Sequence, residues 1–145
     1  MGRALGVDVG SKRVGLAVSD PAGTIATPCD TLPGSDDPGE IAAAVLVAVA
    51  EHACDTVVVG LPRALSGSET ASTRQARAVA EALEEAGAEV ALWDERLSSV
   101  EAERTLLAAG RRRAQRRTER DRIAAALILQ GWLDARAATP PPGGN

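Results

Sequence analysis

Residues 5–20 read "LGVDVGSKRVGLAVSD", two short aliphatic runs on either side of the turn composition Gly10-Ser11-Lys12-Arg13. The pattern predicts two buried strands, Ala4–Val9 and Val14–Ser19, joined by a glycine-containing turn. A third strand-like run, Thr24–Thr31, follows the turn "DPAG" too closely for a helix to intervene, so the chain opens with a three-strand antiparallel meander. One residue breaks the apolar pattern. Asp8 lies inside the first run, where a bare carboxylate would cost several kcal/mol. It must therefore be ligated, hydrogen-bonded or placed at an opening.

Beyond the meander the periodicity changes. Ile41, Val45, Ala48 and Val49 recur at helical spacing over Pro38–His52, and "DTVVVG" (Asp55–Gly60) then reads as a fully buried strand of the parallel type. Ala76, Val79, Ala80 and Leu83 mark the inner face of a second helix that stops at Gly87, before a strand at Glu89–Asp94. Ser98 and Glu101 match a capping box, which starts a helix running to about Gly110. The last helix runs from about Thr118 to Ala138 with an inward stripe through Ala125, Ile128 and Trp132, and residues 139–145, "TPPPGGN", form a disordered tail. The expected fold is α/β and ribonuclease H-like, a single domain over residues 1–138. Its five-stranded mixed sheet combines the three-strand antiparallel meander with two parallel strands and is flanked by helices. In such sheets ligands gather at the carboxyl edge of the parallel strands.

Composition bounds the chemistry. With 145 residues, 45% hydrophobic and 25% charged, the chain suits one globular domain with a real core. No apolar run reaches the roughly 18 residues of a membrane span, and Met-Gly-Arg leads directly into a strand rather than a signal peptide, so a cytoplasmic protein with no membrane partner is expected. Cys29 and Cys54 have no metal or redox spacing and read as reduced thiols. The net charge of −4 hides an asymmetry: "RRRAQRRTERDR" (Arg111–Arg122) carries seven arginines and two acids, a local +5 that leaves −9 elsewhere. Such a segment suits contact with phosphates, although a solvated helix face would have the same composition.

Three acids fall where the pattern calls for an apolar or neutral residue: Asp8, Glu95 in "LWDERLSS", and Asp121 in the first turn of the last helix. Asp94 competes with Glu95, because strand alternation does not decide which of two adjacent acids faces a site. Each also has a plain structural role available. Asp8 could hold the turn amides, Glu95 could pair with Arg96 or Arg104, and Asp121 could complement a helix N-terminus. Taken together, three carboxylates from distant parts of the chain converging on one sheet edge would repel one another unless cations neutralise them, and hard oxygen donors suit Mg²⁺ or Mn²⁺. Two such ions about 4 Å apart would activate water and stabilise the leaving oxygen of a phosphodiester. The chain offers little else for hydrolysis: its sole histidine, His52, sits at the wrong end of its helix, tyrosine is absent and no GxSxG motif occurs.

The blocks "LGVDVGSKRVGLAVSD", "GLP" followed by "SGSE", "LWDERLSSVEAE" and "RDRIAAALILQGWLD" resemble, in order, the signatures of the YqgF (RuvX) family of bacterial Holliday junction resolvases, also assigned as pre-16S rRNA nucleases. The resemblance covers Leu5 to Asp134. It implies a metal-dependent endonuclease with Asp8, Glu95 and Asp121 as catalytic residues and as ligands of Mg²⁺ or Mn²⁺. The implied substrate is structured nucleic acid, precursor rRNA or branched DNA. Arg63-Ala64-Leu65 departs from the family's commoner polar residue and Met, and Ser98-Ser99 replaces threonines. Lys12 and Arg13 beside Asp8, Arg96, and Arg111, Arg112, Arg113, Arg116 and Arg117 are the candidate backbone contacts. Gly60 and Gly67 would let the "GLPRALSGSE" loop approach a phosphate. Trp93 and Trp132 read as core residues rather than base-stacking platforms. Symmetric resolution of a four-way junction needs two active sites, which a two-fold homodimer would supply. The alternative is a non-catalytic nucleic-acid-binding factor of the same fold in rRNA maturation or transcription. "DVGS" also resembles a phosphate loop of actin-like ATPases, but the chain is too short for their two lobes.

Overall fold

The hairpin between β1 (Arg3–Val9) and β2 (Arg13–Ser19) is antiparallel, with Val7 opposite Leu16 and Asp8 opposite Gly15. β3 (Ala26–Pro33) completes the meander on the far side of β2. β4 (Cys54–Leu61) and β5 (Glu89–Asp94) then add in parallel beside β1, giving the five-stranded order β3-β2-β1-β4-β5. The mixed sheet expected above is the one observed. The computed structural model describes residues 2–64, 66–97 and 113–138; the side chains of residues 113–122 are outside that description, as are the helix expected from Ser98 to Gly110 and the 139–145 tail.

Strand alternation sorts the sheet into two faces. Leu5, Val7, Val57, Val59 and Leu61 point to one side, where they pack with Ile41 and Val45 of α1 (Pro38–Glu51) and Val79 and Leu83 of α2 (Ala71–Glu85). Asp37 caps α1 by accepting from the Gly39 amide, with Pro38 pre-setting the first turn. Thr70 and Thr73 cap α2 reciprocally, and the Thr73 hydroxyl also donates to the Pro62 carbonyl. After α2, Gly87 takes φ of +96°, a left-handed turn that lets the Ala88 amide reach back to the Leu83 carbonyl and feeds the chain into β5.

Among the described residues, the opposite face is covered by α3 (Arg113–Ala138). Its Ala124, Ala125, Ile128, Leu129 and Leu133 are buried with Ala4, Ala17 and Val58 of the sheet. Trp132, expected on the inward stripe, is only half-buried at the helix flank, with the Arg136 guanidinium 4.9 Å from its ring centre. It packs against the edge of this cluster, while Leu129 and Leu133 fill its centre. The helix also begins earlier than Thr118, since Arg, Ala and Gln at residues 113–117 are good helix formers.

One side chain ties the meander to α3, and a second shapes the turn that it grips. Gln130 accepts from the Ala26 amide and donates to the Thr24 carbonyl, each at 2.9 Å. Asp20 accepts from the Thr24 hydroxyl and amide and from the Ile25 amide, at 2.6, 2.7 and 3.0 Å. This turn draws Thr24 and Ile25 out of β3, which therefore starts at Ala26 rather than at Thr24. The Thr24 hydroxyl first, then the Ile25 and Thr24 amides, lower the Asp20 pKa to about 2. A carboxyl depressed by folding stabilises above its unfolded pKa, and the gain fades as pH falls from about 4 to about 2. In thermal melts the gap between wild type and Asp20→Asn should therefore be widest at neutral pH and close over that acid range; a gap independent of pH would refute this role.

Gly6 sets how near α3 lies. A Cβ there would stand 2.7 Å from Leu129 Cβ and 2.8 Å from the Ala125 carbonyl oxygen, and neither atom can swing away. Gly6→Ala should cost about 1–3 kcal/mol in urea unfolding; wild-type stability would contradict so close a helix–sheet contact.

Candidate functional site: a carboxylate pair at the sheet edge

Asp8 shares the α3 face of β1 with Gly6, two residues along the strand, and is 4% exposed. Gly60 occupies the matching place on β4: both residues lie one step past the paired Val7 and Val59. A Cβ at Gly60 would strike the Ile128 side chain and stand 3.0 Å from Glu95 Oε2. The Glu95 carboxylate is thus folded over Gly60, next to the strand that carries Asp8, and Glu95 is fully buried. Glycine at position 60 makes the room.

Glu95 and Asp94 point to different destinations. Trp93 faces α3, where its ring packs on Gly131, so Asp94 projects to the other side of β5. There Arg96 grips it: Nε lies 3.1 Å from Oδ1 and Nη2 2.7 Å from Oδ2. Arg63 approaches at 3.8 Å. The Arg96 hydrogen bonds hold the Asp94 carboxyl below its usual range, and Asp94 in turn raises the Arg96 pKa. Glu95 opens a single 3-10 turn, Glu95–Leu97, where strict strand alternation has ended and its side chain turns back toward α3. The choice between the two acids, open on alternation alone, is made by that turn.

The third acid belongs to α3. Gln130 bonds near the start of β3, beside the Ser19 hydroxyl that accepts from the Ala4 amide, while Ala125 and Leu129 lie over Gly6. The helix therefore runs antiparallel to β1, and its earlier turns head toward the Asp8 end. Asp121 holds the helix position one turn before Ala125; its side chain lies outside the described residues. Among the described residues no group of three or more His, Cys, Asp or Glu is arranged to hold a metal.

The candidate phosphate contacts are spread around this edge. Lys12 is exposed and Arg13 half-buried in the β1–β2 hairpin, whose turn is closed by a 2.9 Å bond from the Gly10 amide to the Arg13 carbonyl. Arg96 is exposed but engaged by Asp94. Arg111 and Arg112 lie outside the described residues; Arg113, Arg116 and Arg117 occupy the first turns of α3, with their side chains outside that description. His52 caps the end of α1 and is half-buried. Both cysteines are free, and burial pushes the Cys54 thiol pKa up. No helix among the described residues is long and apolar enough to cross a membrane.

An antiparallel meander continued by two parallel crossovers, with acids at the carboxyl edge beside the central strand, makes this an α/β domain of the ribonuclease H-like class. Two solved structures share it. T. thermophilus RuvC in complex with Holliday junction substrate superimposes with a TM-score of 0.60 at 23% identity, over 98% of this chain and 99% of that one. A second Thermus thermophilus RuvC structure gives 0.57 at 21% identity, over 94% and 97%. The chain belongs to the RuvX family, whose model, described as Holliday junction resolvase, matches residues 2–135. Its relatives carry the name "Putative pre-16S rRNA nuclease". That of Clavibacter sepedonicus is 46% identical over 145 residues, spanning 99% of this chain and 90% of its own. That of Myxococcus xanthus (strain DK1622) is 46% identical over 134 residues, spanning 92% and 88%. In Lactococcus lactis subsp. lactis (strain IL1403) the figures are 42% over 137 residues, spanning 93% and 96%.

The steric roles of the two sheet glycines separate cleanly. A Cβ at Gly60 meets only side-chain ends, which can move, so Gly60→Ala should cost less stability than Gly6→Ala, within about 1 kcal/mol of wild type. It should instead displace the Glu95 carboxylate, which carbon-13 spectra of the Glu95 carboxyl would register. An unmoved resonance would place Glu95 elsewhere.

Proposed function

We propose that the protein is a metal-dependent endonuclease of structured nucleic acid, acting in the cytoplasm on the 5′ end of pre-16S rRNA, with Asp8, Glu95 and Asp121 as its catalytic carboxylates. The observation that carries this reading is the burial of Asp8 and Glu95, from opposite ends of the sheet's parallel half, around the space that Gly60 leaves open. Carboxylates gathered at one sheet edge favour the approach of positive charge. Their oxygens are hard donors, and the residues present therefore fit Mg²⁺ or Mn²⁺. When bound, such ions supply Lewis-acid activation of water and stabilisation of the leaving oxygen in phosphodiester hydrolysis.

The chain's own contribution is positioning. β1 and the 3-10 turn after β5 hold Asp8 and Glu95 on a rigid sheet, and α3 brings Asp121 from above. Ile128 and the aliphatic seam below it keep water from the inner side of Glu95. On this reading Lys12 and Arg13 of the hairpin and the arginines of the 111–117 stretch receive the nucleic-acid backbone, a sequence-blind contact that suits recognition of shape. The relatives' name supports precursor rRNA as substrate, and the family description supports a four-way junction as a second; a two-fold homodimer would match the symmetry of the latter.

The test offers both substrates, a precursor 16S rRNA fragment and a four-way DNA junction, with Mg²⁺ or Mn²⁺. Asp8→Asn, Glu95→Gln and Asp121→Asn should each lower cleavage by about a hundredfold or more while the folded protein still binds. Cleavage by Asp8→Asn at the wild-type rate would overturn the assignment, and cleavage of the junction alone would move the substrate from RNA to DNA.

A further inference from the structure

The loop between β4 and α2 is fastened to the end of β5 by charge. Asp94 receives the Arg96 guanidinium through Nε and Nη2, at 3.1 and 2.7 Å, and Arg63 Nε stands 3.8 Å from the same carboxylate. Both arginines also touch the loop's bend at Gly67. Arg63 Nη1 points at the Gly67 carbonyl at 3.5 Å, and Arg96 Nη1 lies where a Gly67 side chain would be, 3.0 Å from an added Cβ. Gly67 has φ of +91°, which with that contact favours glycine.

This cluster holds more positive charge than a loop clamp requires. One guanidinium satisfies one carboxylate, yet two share Asp94, a surplus of one positive charge beside the residue that precedes Glu95. Arg63 Nε is buried and has no hydrogen-bond acceptor among the described residues. Of its five N–H groups Arg96 directs two at Asp94, and the Nη1 pair is left facing the loop. The Arg63 and Arg96 side chains remain 26% and 35% exposed, so part of each guanidinium-bearing side chain is open to solvent although Arg63 Nε itself is not. Two like charges held together with spare donors call for an anion, and a tetrahedral oxyanion matches two guanidinium forks.

We propose that Arg63 and Arg96, held side by side on Asp94, form a seat for one backbone phosphate of the nucleic acid, next to Glu95 and separate from the arginines of α3. The proposal deepens the nuclease reading and rests on it for the identity of the ligand. The seat fixes the strand where it crosses the β4–α2 loop and so sets which phosphodiester lies over Asp8 and Glu95.

The experiment measures binding of the full chain to a hairpin RNA and to a four-way DNA junction without divalent metal, as a function of salt. Arg63→Gln and Arg96→Gln should each reduce the slope of log affinity against log salt by about one, the loss of one phosphate contact, and Arg63→Lys should restore the slope. Unchanged slopes in folded variants would overturn the seat. Should Arg63→Gln fail to fold, the wild-type protein decides: the Arg63 Nε–H resonance should shift on titration with the hairpin RNA, and an unmoved resonance would refute the proposal. Cleavage with Mg²⁺ or Mn²⁺, read in parallel, separates the two claims. Slope changes without wild-type cleavage would leave a binding seat and remove the nuclease; cleavage with unchanged slopes would do the reverse.

Discussion

Helix α3 can lie so close to the centre of the sheet only because Gly6 presents no side chain to it. At Gly6 the helix backbone comes so near that the Ala125 carbonyl would stand 2.8 Å from an added Cβ. At Gly60 the same proximity brings Ile128 down and leaves a space beside it that Glu95 Oε2 enters. The spacing of one helix over two central strands thus fixes both the aliphatic seam below and the buried carboxylate above. Everything chemical at this edge depends on that separation, and a side chain at either glycine would alter it.

The electrostatic consequence follows from depth. A carboxylate at a protein surface is stabilised by water; Asp8 and Glu95 have given up most of that water on burial. The opposite arrangement stands one residue away. Asp94, on the other face of β5, is engaged by two arginines and is a structural anion. Adjacent acids in sequence therefore perform different work because the strand ends between them.

Much of the fold was legible in periodicity. Period-two alternation in the first two strands and unbroken apolar runs such as "DTVVVG" gave the meander and the parallel crossovers, because burial on one or two faces leaves an unmistakable pattern. The site was legible in part. Asp8 stood out as an acid within a buried strand, but Glu95 and Asp94 could not be ranked, since the deciding 3-10 turn depends on tertiary packing of Trp93 against Gly131. Gln130 gave no signal at all: a glutamine on an α-helix is ordinarily a solvated residue, and only the sheet beside it turns its amide into a strap across Thr24 and Ala26. Trp132 was legible only in part. Helical spacing put it on the inner face, where it does pack against the cluster, but periodicity carries no measure of depth, and the indole ends half-buried at the cluster's edge.

The distribution of arginine now has a structural reason beyond the local surplus at residues 111–122. Phosphate contacts on one side of the carboxylates can attract a polyanion, yet a flexible strand held from one side pivots about that contact. Orientation needs a second point of attachment across the acids, and the sheet supplies one by topology. α3 approaches the edge over β1 and β2, whereas the β4–α2 loop and the turn after β5 rise on the far side. On the proposed reading, a backbone held at these two places would pass over Asp8 and Glu95. Parallel crossovers create this geometry without further design, because each ends at the same edge from which the next loop begins. A phosphodiester would then be aligned by the separation of the two proposed anchors, both of them indifferent to base sequence, and selection would fall to the shapes of nucleic acid whose backbone can bridge that gap.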